Sequence, residues 1–305
     1  MVLNISEIKE NILYLKERRH AIILAHNYQP GEVQDIADLV GDSLELSQRA
    51  ARTNAETIVF CGVRFMAETA SILCPDKKVL LPDARSGCPM ADMITADSLN
   101  KRKAEMPVAT VVCYVNSSAE VKAESDICCT SANAVNIVKS LGDREILFIP
   151  DQYLGQYVAL KTGRKNISLW PGFCPTHARI SPEDILKAKL ANPRAKVIVH
   201  PECKPEVIAL ADEALSTSGM CRFARETEAR EIIIGTEIGI IYRLIKENPD
   251  KIFIPASVQA ICPDMKLITL EKVLLALKDM KYEIKVPADI RLRAKHAVDR
   301  MLEIA

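Results

Sequence analysis

Short unbroken apolar runs, rich in β-branched residues, recur along the chain, and each closes on polar side chains. Ile22-Ile23-Leu24, Val111-Val112-Cys113 and Val197-Ile198-Val199 form one set; Ile58-Val59-Phe60, Ile146-Leu147-Phe148 and Ile232-Ile233-Ile234 form a second. A third set ends in proline: Val79-Leu80-Leu81-Pro82, Ile167-Ser168-Leu169-Trp170-Pro171 and Ile252-Phe253-Ile254-Pro255. Runs of this length without polar alternation predict strands buried on both faces. Between them, helical periodicity covers segments such as Leu44 to Ala51, Ala134 to Leu141 and Ile240 to Asn248. Strands alternating with helices predict an α/β protein with short parallel sheets covered on both sides. Residues 4–19, 268–281 and 288–304 also read as helices, expected to close the first unit against the last.

The pattern repeats three times. Residues 22–66, 110–154 and 196–240 align without a gap, at offsets of 88 and then 86. Generic strand–helix periodicity would reproduce hydrophobic classes, but here polar identities coincide as well. His26, Tyr114 and His200 share one position, and Tyr28, Asn116 and Glu202 another. Glu32-Val33 matches Glu120-Val121 and Glu206-Val207; Asp38 matches Asp126 and Asp212; Ser43 matches Ser131 and Thr217. The chain therefore divides into residues 1–92 with 267–305, 93–180 and 181–266. Ligands of open parallel sheets bind beyond the carboxyl ends of the strands. The matched polar residues are all expected at such ends, where three equivalent edges facing one centre would gather them in a single cavity.

Charge adds only exclusions: 40 Lys and Arg balance 40 Asp and Glu, which gives no support for nucleic acid or a membrane surface as partner. No apolar run approaches the ~18 residues of a membrane span. The polar start MVLNISEIKE reads as neither signal nor transit peptide, so a cytoplasmic location with reduced thiols is expected. The ten cysteines then read as ligands or packing rather than disulfides. Cys61 and Cys113 fall in strand runs and are expected in the core.

Cys88-Pro89, Cys174-Pro175 and Cys262-Pro263 differ in register: the cysteines stand 86 and 88 residues apart, each after a third strand. Cys74-Pro75 lacks that register. Structural zinc normally closes its shell with four ligands, whereas three thiolates leave a position open. Spacing alone leaves two possibilities: a three-cysteine zinc site, as in a hydratase or aldolase, or a cubane iron–sulfur cluster with one exposed iron. His26 and His200, both at strand ends, are candidate proton carriers or anion contacts. His177 follows Cys174 by three residues, while His20 and His296 lie in charged helical surroundings. Asp42-Ser43-Leu44-Glu45 resembles a capping box, and Thr130-Ser131 and Thr217-Ser218 are expected just before the equivalent helices. Hydroxyls at helix amino termini favour anions.

The segments LAHNYQ (24–29), DIADLVGDSLEL (35–46), GVRFMAE (62–68) and CPMA (88–91) resemble the quinolinate synthase family, the A proteins of de novo NAD synthesis. So do YVNSSAE (114–120), CTSANAV (129–135), FCPTH (173–177), VHPEC (199–203), STSGM (216–220) and GTEIG (235–239), which places the resemblance along nearly the whole chain in order. It implies a triangular arrangement of three αβα domains around a [4Fe–4S] cluster held by Cys88, Cys174 and Cys262. It also implies a transferase that joins iminoaspartate to dihydroxyacetone phosphate, releasing quinolinate, phosphate and two waters without net redox change. By the same resemblance Ser43, Thr217, His26 and His200 contact substrate, Glu202 is the general base, and Tyr114 and Asn116 line the pocket, Tyr114 near the open iron. Tyr28 and Ser131 are further candidates. An aspartate oxidase or dehydrogenase supplying iminoaspartate is the implied functional partner. Some members carry extra carboxy-terminal cysteines; this chain has none beyond Cys262. An iron–sulfur sensor would need an output element such as a basic DNA-reading helix, and the sequence predicts none.

Overall fold

Each set of apolar runs becomes one strand position in a threefold repeated sheet. The computed structural model describes residues 4–304. The first sheet holds β1 (Ala21–His26), β2 (Leu39–Gly41), β3 (Thr57–Cys61) and β4 (Lys78–Leu80) in the order β2-β1-β3-β4. The second holds β5 (Thr110–Tyr114), β6 (Ile127–Cys129), β7 (Ile146–Ile149) and β8 (Ile167–Leu169), ordered β6-β5-β7-β8. The third holds β9 (Lys196–Val199), β10 (Glu213–Ala214), β11 (Glu231–Gly235) and β12 (Ile252–Pro255), ordered β10-β9-β11-β12. All pairings within the sheets are parallel. The protein is therefore α/β, with three four-stranded parallel sheets flanked by helices, as three αβα domains require. One apolar cluster runs through the first two sheets and takes Ile198, Ile232 and Ile234 from the third; Val197, Val199 and Ile233 pack into a second cluster. This alternation is expected of strands covered on both faces.

The edge strands β2, β6 and β10 have two or three residues each, too short for a period to reveal them. They explain one set of matched polar residues. Asp38, Asp126 and Asp212 immediately precede or lie close before these strands, and their Oδ2 atoms accept the N–H of Ile23, Val111 and Val197 at 2.8, 2.7 and 2.8 Å. Their own N–H groups donate to the carbonyls of the same three residues. Each carboxylate thus satisfies a strand N–H that the edge strand does not reach. These aspartates belong to the ladder and sit away from the carboxyl edge, contrary to the expectation for all matched polar groups. The Glu-Val pairs are also structural: Val33, Val121 and Val207 are buried in single helical turns, with the preceding glutamates exposed in the first turn.

The terminal helices depart from expectation in one respect. Ile5–Arg18 and Leu270–Asp279 pack on each other beside the first sheet. Ala288–Glu303, however, lies along the turn Ala119–Ala123 and β6 of the second sheet and on the helix Arg64–Leu73 of the first. Arg300 Nη1 donates to Asp126 O at 2.7 Å, and Asn133 Nδ2 donates to Met301 O at 3.3 Å. This helix joins the first unit to the second rather than to the last. Among the described residues, no helix is long and apolar enough to cross a membrane.

Candidate active site

The three cysteines of matched register line one cavity, and the main chain explains how. Arg64, Gln152 and Ile238 share one repeat position just past β3, β7 and β11. Their N–H groups donate to Ser86 O, Gly172 O and Ala260 O at 2.8, 2.8 and 3.0 Å. Each acceptor lies two residues before a cysteine, so loops of unequal length are tied at the same point. Proline then opens a tight turn after each cysteine, because its ring fixes φ and it has no N–H to satisfy. The thiol accepts the N–H of the third residue on in every case: Ala91 for Cys88, His177 for Cys174 and Met265 for Cys262. Such a position favours anionic sulfur. The other seven cysteines are buried, whereas Cys88, Cys174 and Cys262 keep partial exposure. Cys61 and Cys113 are core residues as expected. Burial pushes the Cys88 thiol up to about 12 and raises Cys174 and Cys262 as well.

The polar residues at the strand ends face the same cavity. His26 and His200 occupy one repeat position and are held alike: Nδ1 accepts the N–H of the residue two further on, from Tyr28 at 3.2 Å and from Glu202 at 3.3 Å. Burial pushes both imidazoles down to about 3 against the opposing charge of Glu202. They are therefore neutral, and each carries its hydrogen on Nε2. For His200 that atom lies 3.2 Å from Ser131 Oγ. Glu202 is the hub. Its Oε1 accepts Tyr114 Oη–H at 2.6 Å and Asn116 Nδ2–H at 3.4 Å, and its Oε2 lies 2.7 Å from His177 Nδ1. Burial alone would raise this carboxyl, but the facing His177 and the hydrogen bonds from His177 and Tyr114 hold it down to about 2. Burial, and then the Glu202 charge, raise the Tyr28 and Tyr114 phenols well above the usual range. Asn116 Oδ1 is buried without a hydrogen-bond partner among the described residues. Turning the amide over would set that oxygen against the Glu202 carboxylate, so the free acceptor is fixed by its surroundings. Cys174 Sγ, His177 Nδ1 and a Glu202 oxygen lie within 4.8 Å of one another and form a possible metal-binding group.

Two comparisons decide the family. The profile of the family described as Quinolinate synthetase A protein matches residues 10–303. A protein named quinolinate synthase from Dehalococcoides mccartyi (strain CBDB1) is 61% identical over 297 residues, covering 97% of this chain and 98% of its own. Proteins of the same name from Thermodesulfovibrio yellowstonii and Geobacter metallireducens are 58% and 57% identical, each alignment covering 97% of both chains. The chain belongs to the quinolinate synthetase A family.

For a quinolinate synthetase A protein, the cavity contains every residue expected from the sequence: Cys88, Cys174 and Cys262 with His26, Tyr28, Ser43, Tyr114, Asn116, Ser131, His200, Glu202 and Thr217. The capping chemistry holds in part. Asp42 caps the helix Ser43–Arg52 in a capping box with Glu45. The helix Thr217–Glu226 is instead capped by Ser216, which leaves Thr217 in its first turn, where Thr217 Oγ1 accepts from Asn27 Nδ2 at 2.8 Å. Ser131 lies in a turn before the helix Ala134–Ser140, and its neighbour Thr130 donates its N–H to Asn133 Oδ1 at 2.8 Å. Residues beyond the expected set complete the site. His177 is 1% exposed and stacks on His200 at 4.7 Å between ring centroids. Glu237 is fully buried; it accepts the Cys262 N–H at 3.2 Å and pairs with Lys266 at 2.9 Å. Lys266 Nζ also donates to Tyr28 O, which fastens the third cysteine loop to the first unit. The position of His177, three residues after a register cysteine, was the available signal for it.

Proposed function

We propose that this protein is a quinolinate synthase, joining iminoaspartate to dihydroxyacetone phosphate to give quinolinate, phosphate and two waters in NAD biosynthesis. The observation that carries the reading is the meeting of three partly exposed, backbone-solvated cysteines with one ionised, doubly hydrogen-bonded glutamate in a single cavity. The donor set suits a [4Fe–4S] cluster. Three sulfurs sit where a turn N–H favours thiolate, yet burial disfavours bare thiolates, so a cationic centre is what would hold all three ionised. Cys88, Cys174 and Cys262 would bind it. When bound, it supplies a Lewis-acidic iron without a protein ligand, suited to polarising a substrate hydroxyl or carboxylate.

The remaining chemistry belongs to the chain. Both substrates are anionic, and neutral His26 and His200 offer Nε2–H donors without the cost of burying a positive charge. Ser43, Ser131 and Thr217, at one repeat position, add hydroxyls from three directions. Asn116 Oδ1 accepts an N–H from the nitrogen of the imine or of a later enamine. Glu202 takes the protons released during tautomerisation and ring closure. Its low proton affinity means that it passes each one on rather than keeping it. Tyr114, hydrogen-bonded to Glu202, brings a phenolic hydrogen to the same face. Side chains lining the cavity also replace water around the imine, which hydrolyses readily.

The Cys174–His177–Glu202 group favours a second reading, a mononuclear zinc enzyme acting as a hydratase or aldolase. Anaerobic purification with iron, zinc and sulfide analysis separates the two, and an assay that couples an aspartate-oxidising enzyme to quinolinate detection tests the activity. Iron with matching sulfide and quinolinate formation are expected; zinc without sulfide would sink the cluster reading.

A further inference from the structure

The three boundaries between units repeat one another, and they are covered differently. Between the first and second units, the helix Ala288–Glu303 lies in a groove formed by the helix Arg64–Leu73, the turn Ala119–Ala123 and β6. Beneath it Ile72, Lys122, Ser125 and Ile127 are buried. Between the third and first units, the Tyr242 ring closes the equivalent space and lies 2.6 Å from where a Cβ on Gly31 would stand. Tyr242 Oη and Lys246 Nζ both donate to Asp35, at 2.8 and 2.6 Å. Between the second and third units neither cover exists among the described residues. Tyr242 and Gly31 are there replaced by Gln156 and Pro205. A groove stays open between the helix Gln152–Thr162, the turn Pro205–Ile208 and β10.

The side chains of the open groove are those of a covered one. In repeat register Leu160, Ile208, Ala211 and Glu213 match the four residues buried under Ala288–Glu303. Leu160 is 75% exposed, Ile208 and Ala211 are half-buried and Glu213 is exposed. At the Ile208 position the other two units carry a polar latch across the boundary. Lys122 Nζ donates to Ser117 O at 2.7 Å and Phe65 O at 3.4 Å, and Gln34 Nε2 donates to the matched Gln29 O and Gly239 O at 2.9 and 3.0 Å. Ile208 has no donor to offer, and Ala211 replaces Ser125. The one groove left open is thus more apolar at these positions than its covered copy, the reverse of what contact with water favours.

We propose that this groove is a docking site for an amphipathic helix of another protein. The occupant is read from the groove's own repeat. Ala288–Glu303 buries Ala294, Ala297, Val298 and Met301, spaced i, i+3, i+4 and i+7, so a face with small residues at its centre fits between the two walls. Basic residues flank that face: Arg293 pairs with Glu124, and Arg300 donates to Asp126 O. In the open groove Asp212 repeats Asp126, and exposed Glu213 adds a second negative charge, so basic flanks suit the partner as well. A second copy of this chain does not supply the face through its exposed Leu186 and Leu190. At the same spacing their helix places Glu183 and Lys187 at the other two positions.

The test titrates the full-length, iron-loaded protein into a labelled peptide of residues 287–304, which carries both the small-residue face and the basic flanks, and reads fluorescence anisotropy. Saturable binding is expected. Leu160→Glu should weaken it by at least about 10-fold, as the loss of one buried leucine contact requires. Its melting temperature and iron content should match wild type, because Leu160 is exposed. Ala209→Arg, at a second exposed lining position, should weaken binding in the same way, whereas Leu190→Glu, outside the groove, should bind like wild type. No saturation by about 1 mM peptide overturns the proposal. Equal binding to wild type, Leu160→Glu and Ala209→Arg also overturns it, since the peptide has then displaced its own copy at the first boundary. Light scattering on the same samples supplies the remaining outcome: a wild-type dimer that Leu160→Glu dissociates makes a second copy the occupant and overturns the partner reading. None of these outcomes depends on quinolinate formation, so failure of the functional reading is separate.

Discussion

Gly172 is the residue on which the second cysteine loop depends most directly. Its carbonyl takes the Gln152 N–H, two residues before Cys174. A Cβ at this position would lie 2.5 Å from Pro150 O, a backbone atom that no rotamer can move aside. Real Cβ contacts begin near 3.0 Å, so Gly172→Ala forces the two strands of chain apart by at least about 0.5 Å. Metal–ligand distances tolerate only about 0.2 Å, so a Cys174 moved by this much cannot close the same centre as Cys88 and Cys262. Overpacking of this kind costs about 1–3 kcal/mol of folding stability, which a chain of this size survives. The matched control is Gly87→Ala beside Cys88, where the nearest atom to an added Cβ is 3.7 Å away. Iron and sulfide per chain after anaerobic reconstitution, with a thermal melt of each protein, make the assay. Gly172→Ala should fold and load poorly; Gly87→Ala should fold and load like wild type. Equal loading of the two variants would refute the tether as the element that places Cys174.

Four further outcomes follow from the geometry. Cys88→Ser, Cys174→Ser and Cys262→Ser should each abolish cluster assembly by iron and sulfide analysis, while Cys74→Ser, whose thiol only meets Ala50 O in the packed interior, should load normally. Glu202→Gln should keep the cluster but lower quinolinate turnover by about 100-fold to 10,000-fold in steady-state assays, since the amide cannot take a proton. Asp126→Ala should cost about 1.5–3 kcal/mol in urea denaturation by stripping a charged acceptor from the Val111 N–H, with iron content unchanged. Stability should also fall as pH drops below about 6.5: His26 and His200 have folded-state values near 3, so the unfolded chain binds protons that the folded chain refuses. The loss should be about 1 kcal/mol per histidine between pH 6.5 and 5.5, measured by urea denaturation, and smaller in His200→Asn.

Hydrophobic patterning was enough for nine of the strands, because each lies in an apolar run that recurs at nearly constant offset. It missed β2, β6 and β10, whose two or three residues carry no period. The same matched positions gave both correct and misleading signals. At the His26 and His200 position, identity between repeats marks the site; at Asp38, Asp126 and Asp212 it marks a ladder bond that every copy of the sheet requires. Repeat comparison therefore detects shared needs, structural or chemical, without separating them. It also passes over residues that differ between copies. Thr236 aligns with Gly62 and Pro150, so the register gives it no support, and only its place with Glu237 at the end of an apolar run points to it. The tether to Ser86, Gly172 and Ala260 uses main-chain atoms, which leave no trace in side-chain identity except at Gly172. Seeing why Cys-Pro recurs also required the fold, because the bond that matters runs from the third residue back to sulfur.

The helix Ala288–Glu303 has a consequence for when the site can exist. It spans the first and second sheets, yet it leaves the ribosome after all three have been made. The units can fold in order as they emerge, but the brace between the first two follows all three sheets in the chain. A nascent chain stalled before residue 288 would hold all three cysteines without the helix that packs the first unit on the second.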